Sequence, residues 1–264
     1  MKAFDELVGE AAEVSVDGWD FSWLEGRATE QRPSWRYQHL LGGRLSTATA
    51  ALDIQTGGGE VLAGVGAENF PPTLVATEGW PPNIAKATAL LHPLGVVVVA
   101  DRDEPPLPFA DQAFDLVTSR HPATVHWSEI ARVLTPSGTY FAQHVGGGAN
   151  VELSEYFLGP LERHDRRHHD VEAAQAKAAG LEIVQCRNER IELRFFDVGA
   201  VVFFLRKVVW TVPDFTVERH RARLRDLHEQ IERDGVFRST TSRTLFDARR
   251  IGSARSEGVE PPTF

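Results

Sequence analysis

The stretch from Ala51 to Glu60, ALDIQTGGGE, decides the fold. A short, largely apolar segment runs into three consecutive glycines, which is typical of a β-strand that enters a tight turn before a helix. Glycine lets the backbone approach a ligand closely and leaves amide groups free at the start of the next helix. Plain tight turns also contain such glycines, so a nucleotide-binding interpretation needs a second element.

An acidic residue at the end of the next strand supplies that element. Residues 73–77 are predicted to form a strand, and Glu78 follows it, 19 residues after Gly59. A nucleoside-binding α/β unit places an acid at about this distance, where it accepts hydrogen bonds from the ribose hydroxyls. The glycine turn and Glu78 together predict a site for a nucleoside cofactor.

Strand and helix patterns alternate through the middle of the chain. Short apolar runs predict seven strands: 50–54, 73–77, 96–100, 114–119, 138–144, 181–185 and 244–248. Helical spacing predicts helices at 34–48, 60–65, 82–91, 125–134, 170–179, 197–209 and 217–234. This alternation predicts an α/β fold, a doubly wound, Rossmann-like and mostly parallel seven-stranded sheet with helices on both faces. Only the last strand is expected to be antiparallel.

The chain is expected to form a single domain over residues 1–250. Within it, 1–49 would be an N-terminal cap, 50–146 the cofactor-binding core and 147–250 a C-terminal elaboration. The tail, 251–264, is rich in Gly, Ser, Glu and Pro and is expected to be disordered.

Composition restricts the classes of partner. The formal net charge of −9 gives no general attraction for phosphate, which disfavours a nucleic-acid substrate. The single cysteine, Cys186, excludes an internal disulfide and suits a reducing cytosol. The longest apolar runs, 96–100 and 200–205, are too short to span a bilayer. We therefore expect a soluble, cytoplasmic protein of unknown oligomeric state.

Three further segments distinguish between nucleoside cofactors. They are DRDEPPLPF at 101–109, FDLV at 114–117 and IARVLTPSG at 130–138. In this order and at this spacing they resemble the class I S-adenosylmethionine-dependent methyltransferases, particularly the branch of quinone-biosynthesis C-methyltransferases and small-molecule methyltransferases. The resemblance covers about residues 34–146. It implies S-adenosylmethionine as the cofactor.

The resemblance also implies roles for individual residues. Asp53, Gln55 and the glycines Gly57, Gly58 and Gly59 would line the methionine end of the cofactor, and Glu78 would hold the ribose. Asp101 and the backbone near Arg102 would face the adenine, Trp80 would cover it, and Arg120 would complete the cofactor site.

Gln55 departs from the pattern, because the family usually has glycine at this position, and Ser137 replaces a second glycine. The Gln55 side chain either hydrogen-bonds the cofactor or weakens its binding. The second case leaves open a non-catalytic binding protein on a degenerate methyltransferase fold.

The reaction needs little from acid–base groups. Methyl transfer is an in-line displacement in which alignment supplies much of the catalysis, and a base is needed only if the acceptor must lose a proton. His121 and His144 end predicted strands at the edge where ligands of such sheets bind, so they are the candidate bases.

The acceptor pocket is expected in the aromatic N-terminal region. Trp19, Phe21, Trp23 and Tyr37 are candidates for lining an apolar pocket, with simple packing against the sheet as the alternative. The predicted function is methyl transfer to a small-molecule acceptor with an apolar or aromatic body.

Two other functions and a metal site are less well supported. An NAD-dependent oxidoreductase would usually show Gly-x-Gly-x-x-Gly, which the run after Ile54 does not spell. An RNA methyltransferase would need a basic track, and the arginines of helix 217–234 are interleaved with acids. A metal site at His164, His168 and His169 is conceivable, but a solvated charged segment is the preferred interpretation and no metal is predicted.

Overall fold

The computed structural model describes residues 2–161 and 167–252. In chain order its helices and strands are α1 (Phe4–Glu13), β1 (Ala28–Glu30), α2 (Tyr37–Leu45), β2 (Ala50–Ile54), α3 (Glu60–Ala63), β3 (Thr73–Glu78), α4 (Pro81–Leu91), β4 (Val97–Ala100), β5 (Phe114–Arg120), α5 (Trp127–Val133), β6 (Leu134–Val145), α6 (Val151–Leu158), α7 (His169–Ala178), β7 (Leu181–Phe195), α8 (Val198–Lys207), α9 (Val217–Asp234) and β8 (Phe237–Arg250). The predicted tail lies outside the described residues from residue 253 onward.

The strands form one sheet in the order β1-β7-β8-β6-β5-β2-β3-β4. Strands β2 to β6 are parallel, and β8 is antiparallel to both of its neighbours, β6 and β7. The predicted α/β class, the parallel core and the antiparallel last strand are confirmed. Because these strands are parallel, the carboxyl ends of β2, β3, β4 and β5 meet at one edge. The strand order reverses between β2 and β5, and ligands of open α/β sheets bind at such a point.

The predicted number of seven strands is wrong, since the described sheet has eight. The additional strand, β1, is three residues long and pairs antiparallel with the end of β7, so a second strand runs against the parallel core. Such a short element has no periodicity to read. Its position is set by the partner strand, with which Gln31 continues the ladder by donating to the Glu192 carbonyl over 2.9 Å.

Strands β7 and β8 are far longer than predicted, at 15 and 14 residues. The extensions carry charges, and cross-strand ion pairs such as Arg238 with Glu192 and Arg249 with Glu182 line their exposed side. An antiparallel pair can keep one face in water, so these segments lack the continuous apolar runs that predicted the parallel strands.

Helix α8 forms over the apolar stretch that was predicted to be helical, and nearly all of its residues are buried. Its N-cap is Asp197, which accepts a hydrogen bond from the Ala200 amide over 2.8 Å. Arg27 holds the same carboxylate through two hydrogen bonds of 2.8 Å. These contacts connect the N-terminal segment to the C-terminal half. No helix among the described residues is long and apolar enough to cross a membrane.

Candidate functional site

The glycine turn after β2 is held in place by Glu78. Gly57 and Gly59 adopt φ angles of +66° and +85°, a region that favours glycine. The Gly57 amide donates to Glu78 Oε2 over 2.8 Å, while the Gly79 and Trp80 amides donate to Oε1 over 3.1 and 3.0 Å. Glu78 therefore joins the turn after β2 to the end of β3, with Gly58 inside the same turn.

Two further carboxylates stand beside Glu78 at the end of β4. The Asp101 amide donates to the Glu78 carbonyl over 3.0 Å. Asp101 Oδ2 and Asp103 Oδ1 are buried and have no hydrogen-bond partner among the described residues. Burial, together with the charges of Glu78 and Asp101, raises the pKa of Asp103 to about 7. Three acids therefore lie together here, and two of them, Asp101 and Asp103, each have a buried oxygen without a donor.

The backbone leaves little space beside these acids. A Cβ placed on Gly79 would lie 2.8 Å from the Asp101 carbonyl oxygen. Only glycine therefore fits between the ends of β3 and β4 here. Buried acceptors without donors suit a ligand that brings hydroxyl and amino groups, such as a nucleoside. The donor-poor carboxylates thus fit the ribose and adenine of the cofactor that the sequence implied.

Asp53 lies in β2, one residue before the end of the strand. It is 7% exposed and accepts a hydrogen bond from Thr118 Oγ1 over 2.6 Å. Burial raises the pKa of Asp53 to about 6, although the Thr118 hydroxyl acts in the opposite direction. A buried carboxylate of this kind is stabilised in its charged form when a cationic or donor group approaches it.

The Gln55 side chain is engaged with the protein. The backbone of Gln55 has a φ angle of +57°, which is uncommon for a residue other than glycine. Gln55 Nε2 donates to the Thr124 carbonyl over 2.8 Å, and Gln55 Oε1 accepts from the Ala123 amide. The carboxamide therefore connects the turn after β2 to the loop after β5. The sequence alone did not predict this contact, because the loop is distant along the chain.

The remaining predicted cofactor residues divide into two groups. Trp80, the N-cap of α4, is 41% exposed and lies directly beyond Glu78, and Arg102 is exposed between the two aspartates. Arg120 ends β5 and is in register with Gln143. Desolvation lowers the pKa of its guanidinium, and its ionisable neighbours are Tyr37, Glu30 and Arg32. Arg120 thus lies among residues of the N-terminal segment and apart from the acid cluster.

His144 is a buried hydrogen-bonding group. It is 0% exposed, its Nε2 lies 2.9 Å from the Tyr140 hydroxyl, and its Nδ1 lies 3.0 Å from Glu172 Oε2. The rings of Trp127 and Phe246 pack against it with centroids 5.8 and 4.7 Å away. A base must contact its substrate. This placement opposes the predicted catalytic role and favours a structural one.

The hydrogen bonds around His121 determine which nitrogen carries its proton. The Trp35 indole, which can only donate, lies 2.7 Å from Gln143 Oε1, so the Gln143 amide nitrogen faces His121 Nε2 at 2.8 Å. His121 Nε2 therefore accepts, and the proton of the neutral ring is on Nδ1. Burial and the charges of Arg120 and Arg243 lower the pKa of His121 well below its usual value. The predicted base is thus a neutral imidazole whose remaining nitrogen is a donor.

The four aromatic residues predicted to line an acceptor pocket occupy three places. Trp19 is 46% exposed beside Phe21 and Trp210, with centroids 6.3 and 5.6 Å away. Trp23 packs on Phe203 of α8.

Tyr37 is buried, is stacked on Phe141 at 5.4 Å, and donates to the Ser119 carbonyl over 3.0 Å. Of the four, Tyr37 is the one whose hydrogen bond reaches the carboxyl end of β5. Sequence reasoning missed its neighbours Trp35, Gln143 and Arg243, which carry no motif.

The histidine-rich segment places His168, His169 and Asp170 with ligand atoms within 4.8 Å of one another. His164, the other residue considered there, lies outside the described residues. The three residues are adjacent in sequence, and Asp170 is exposed, which agrees with the preferred interpretation of a solvated charged segment.

Comparison with known proteins finds a match for the central part of the chain. A family model described as a methyltransferase domain matches residues 52–142. A search of curated proteins found no match to this chain.

Solved structures share the fold. A candidate methyltransferase from Bacillus halodurans C-125 has a TM-score of 0.56 at 19% identity, over 80% of this chain and 98% of that one. A candidate sarcosine dimethylglycine methyltransferase from Galdieria sulphuraria has a TM-score of 0.51 at 17% identity, over 80% and 82% of the two chains. The cyclase SpnF has a TM-score of 0.52 at 18% identity, over 84% and 85%.

Identities this low establish the fold alone, and the presence of a cyclase shows that this fold supports more than one reaction. The family match covers β2 to most of β6, which is the part of the sheet that carries the glycine turn and the acid cluster. Residues 52–142 therefore match a methyltransferase domain, and solved methyltransferase structures share the fold of the chain.

Proposed function

We propose that this chain transfers the methyl group of S-adenosylmethionine to a small-molecule acceptor. The observation that carries the proposal is the group of acids at the ends of β3 and β4, in which Asp101 Oδ2 and Asp103 Oδ1 are buried without a donor. A nucleoside brings the hydroxyl and amino groups that such oxygens lack.

Each element of the site has a binding task. Glu78 and the two aspartates accept from the ribose hydroxyls and the adenine, and the glycine turn lets the backbone approach the cofactor. Asp53 accepts from the ammonium group at the methionine end, where Gln55 closes the gap to the loop after β5. S-adenosylmethionine supplies an electrophilic methyl group on a sulfonium. The protein then contributes alignment and exclusion of water.

Charge supports a small acceptor over a nucleic acid. The net charge of −9 repels polyphosphate at long range. The arginines of α9 alternate with acids, and two of them, Arg221 and Arg223, contact Asp5 and the Tyr156 carbonyl. These arginines therefore do not form an uninterrupted track for a phosphate backbone.

A ligand panel tests the cofactor. A ligand that binds the native state raises the melting temperature, so S-adenosylmethionine and S-adenosylhomocysteine should stabilise the protein while NAD and ATP should not. Stabilisation by NAD alone would favour an oxidoreductase. No shift with any of the four would favour a non-catalytic protein on a degenerate methyltransferase fold.

The affinity for S-adenosylhomocysteine is expected to rise with pH up to about 7 and to level off above it. Asp103 must accept hydrogen bonds as a carboxylate, whereas its pKa near 7 keeps it partly protonated at lower pH. The stability of the ligand-free protein is expected to change with pH in the opposite direction. A carboxyl with a raised pKa stabilises the folded state below about pH 4, and this contribution is lost as the pH rises to 7. Asp103→Asn should weaken both dependences and leave the part that comes from Asp53, whose pKa is about 6. Calorimetric titration and urea unfolding from pH 5 to 8 measure them.

Transfer of labelled methyl groups into a cell extract tests the acceptor class. Label should enter the small-molecule fraction and be absent from total RNA and protein. Label that enters RNA and disappears on ribonuclease treatment would support an RNA methyltransferase.

A further inference from the structure

A cluster of cations lies on one face of the sheet at its carboxyl edge, beside the N-terminal segment. Arg120 of β5 is in register with Gln143 of β6, which is in register with Leu245 of β8. Arg243 lies two residues before Leu245, so its side chain is on the same face as that of Arg120. Tyr37 stacks on Phe141 from this face and places α2 there.

The charges of this cluster are not balanced. Arg243 is 8% exposed and binds Glu30, Thr241 Oγ1 and the Ser242 carbonyl. Arg120 has no ion pair among the described residues. The carboxylate of Glu30 opposes the lowering of the pKa of both arginines, whereas Arg32 adds a third positive charge.

Arg120, Arg243 and His121 supply hydrogen-bond donors to the cluster. Arg243 is buried, whereas Arg120 is exposed at the end of β5, so the cluster opens to the solvent at Arg120. His121 joins them as a neutral ring whose Nε2 is occupied by Gln143, so its free nitrogen carries a hydrogen. The cluster therefore presents donors and excess positive charge to whatever binds there, in a chain that is acidic overall.

We propose that the acceptor carries an anionic group, a carboxylate or a phosphate, which Arg120, Arg243 and the Nδ1–H of His121 bind at the face beside Tyr37. The inference that the bound anion is the methyl acceptor rests on the proposed function. The anion site itself consists of protein residues alone. Planar guanidinium groups suit both oxyanions, because they present two parallel donors.

Calorimetric titration with three matched probes tests the site. Benzoate, phenyl phosphate and the uncharged benzamide are titrated into the protein with and without saturating S-adenosylhomocysteine. At least one anion should bind about tenfold more tightly than benzamide, in both conditions, since charge-assisted hydrogen bonds are roughly twice as strong as neutral ones. The stronger of the two anions identifies the head group as carboxylate or phosphate.

Substitutions of Arg120 test whether this residue causes the preference for the anions over benzamide. Arg120→Gln should lose about tenfold in affinity for the preferred anion, Arg120→Lys should retain part of it, and neither should change the weak affinity for benzamide. Arg233→Gln, an exposed arginine of α9 paired with its neighbour Asp234, is the matched control and should leave all affinities unchanged.

Two results would overturn the inference: equal binding of benzamide and both anions, or unchanged anion affinity in Arg120→Gln. Failure of S-adenosylhomocysteine to bind would contradict the proposed function instead, because the anion titration without it still reports on the arginines.

Discussion

Replacing Glu78 with alanine is expected to weaken S-adenosylhomocysteine binding by about a hundredfold. The variant removes the carboxylate that would accept from the ribose hydroxyls, and hydrogen bonds to charged groups contribute about 1.5–3 kcal/mol each. It also releases the Gly57, Gly79 and Trp80 amides, so the turn after β2 loses its connection to β3. Both effects act in the same direction on affinity. Calorimetric titration at a temperature where the variant remains folded measures the loss.

Glu104→Ala is the matched control for Glu78, because Glu104 is an exposed acid in the loop that contains Asp101 and Asp103. It should leave the affinity within about twofold, as expected for a solvated charge that makes no contact with the ligand. An affinity of Glu78→Ala close to that of the control would contradict the position assigned to the ribose.

His144→Ala is expected to destabilise the fold by about 3 kcal/mol. The substitution leaves the Tyr140 hydroxyl and the Glu172 carboxylate buried without their shared partner, and such groups cost free energy when unpaired. For a chain of this size the melting temperature should fall by roughly 6–12 °C. Urea unfolding and thermal denaturation measure both quantities.

A catalytic His144 would behave differently. Methyl transfer would then fall while the melting temperature stayed near that of the wild type, which would contradict the structural role. Glu172→Gln keeps an acceptor for the His144 ring and should therefore lower the free energy of unfolding by less than His144→Ala does. His39→Ala, at an exposed position of α2, is the control for removal of an imidazole and should change stability by less than about 0.5 kcal/mol.

The glutamine at position 55 bears on whether the site is active. Its carboxamide is bonded to Ala123 and Thr124, so its polar groups are satisfied within the protein although the residue adopts a conformation that favours glycine. This contact joins the turn after β2 to the loop after β5, so Gln55 would form part of the wall at the proposed methionine end. The ligand panel decides whether that wall admits the cofactor.

The order of elements in the core was determined by local patterns. The strand that leads into Gly57, the acid 19 residues beyond Gly59 and the alternating apolar runs are readable because buried parallel strands need continuous apolar segments. The helix at 217–234 was predicted within its observed bounds for a similar reason, since its apolar residues recur at helical spacing. The glycine turn and Glu78 indicated a nucleoside cofactor, and the resemblance to class I methyltransferases implied S-adenosylmethionine.

The tertiary structure alone decided what individual side chains do. His121 and His144 look alike in the sequence, yet one is held by Gln143 at the carboxyl end of the sheet and the other is enclosed between Tyr140 and Glu172. Strand β1 exists because the end of β7 offers a partner, and Arg243 meets Arg120 because β8 inserts between β6 and β7. Hydrogen bonds and desolvation depend on residues distant along the chain, so no local pattern carries them.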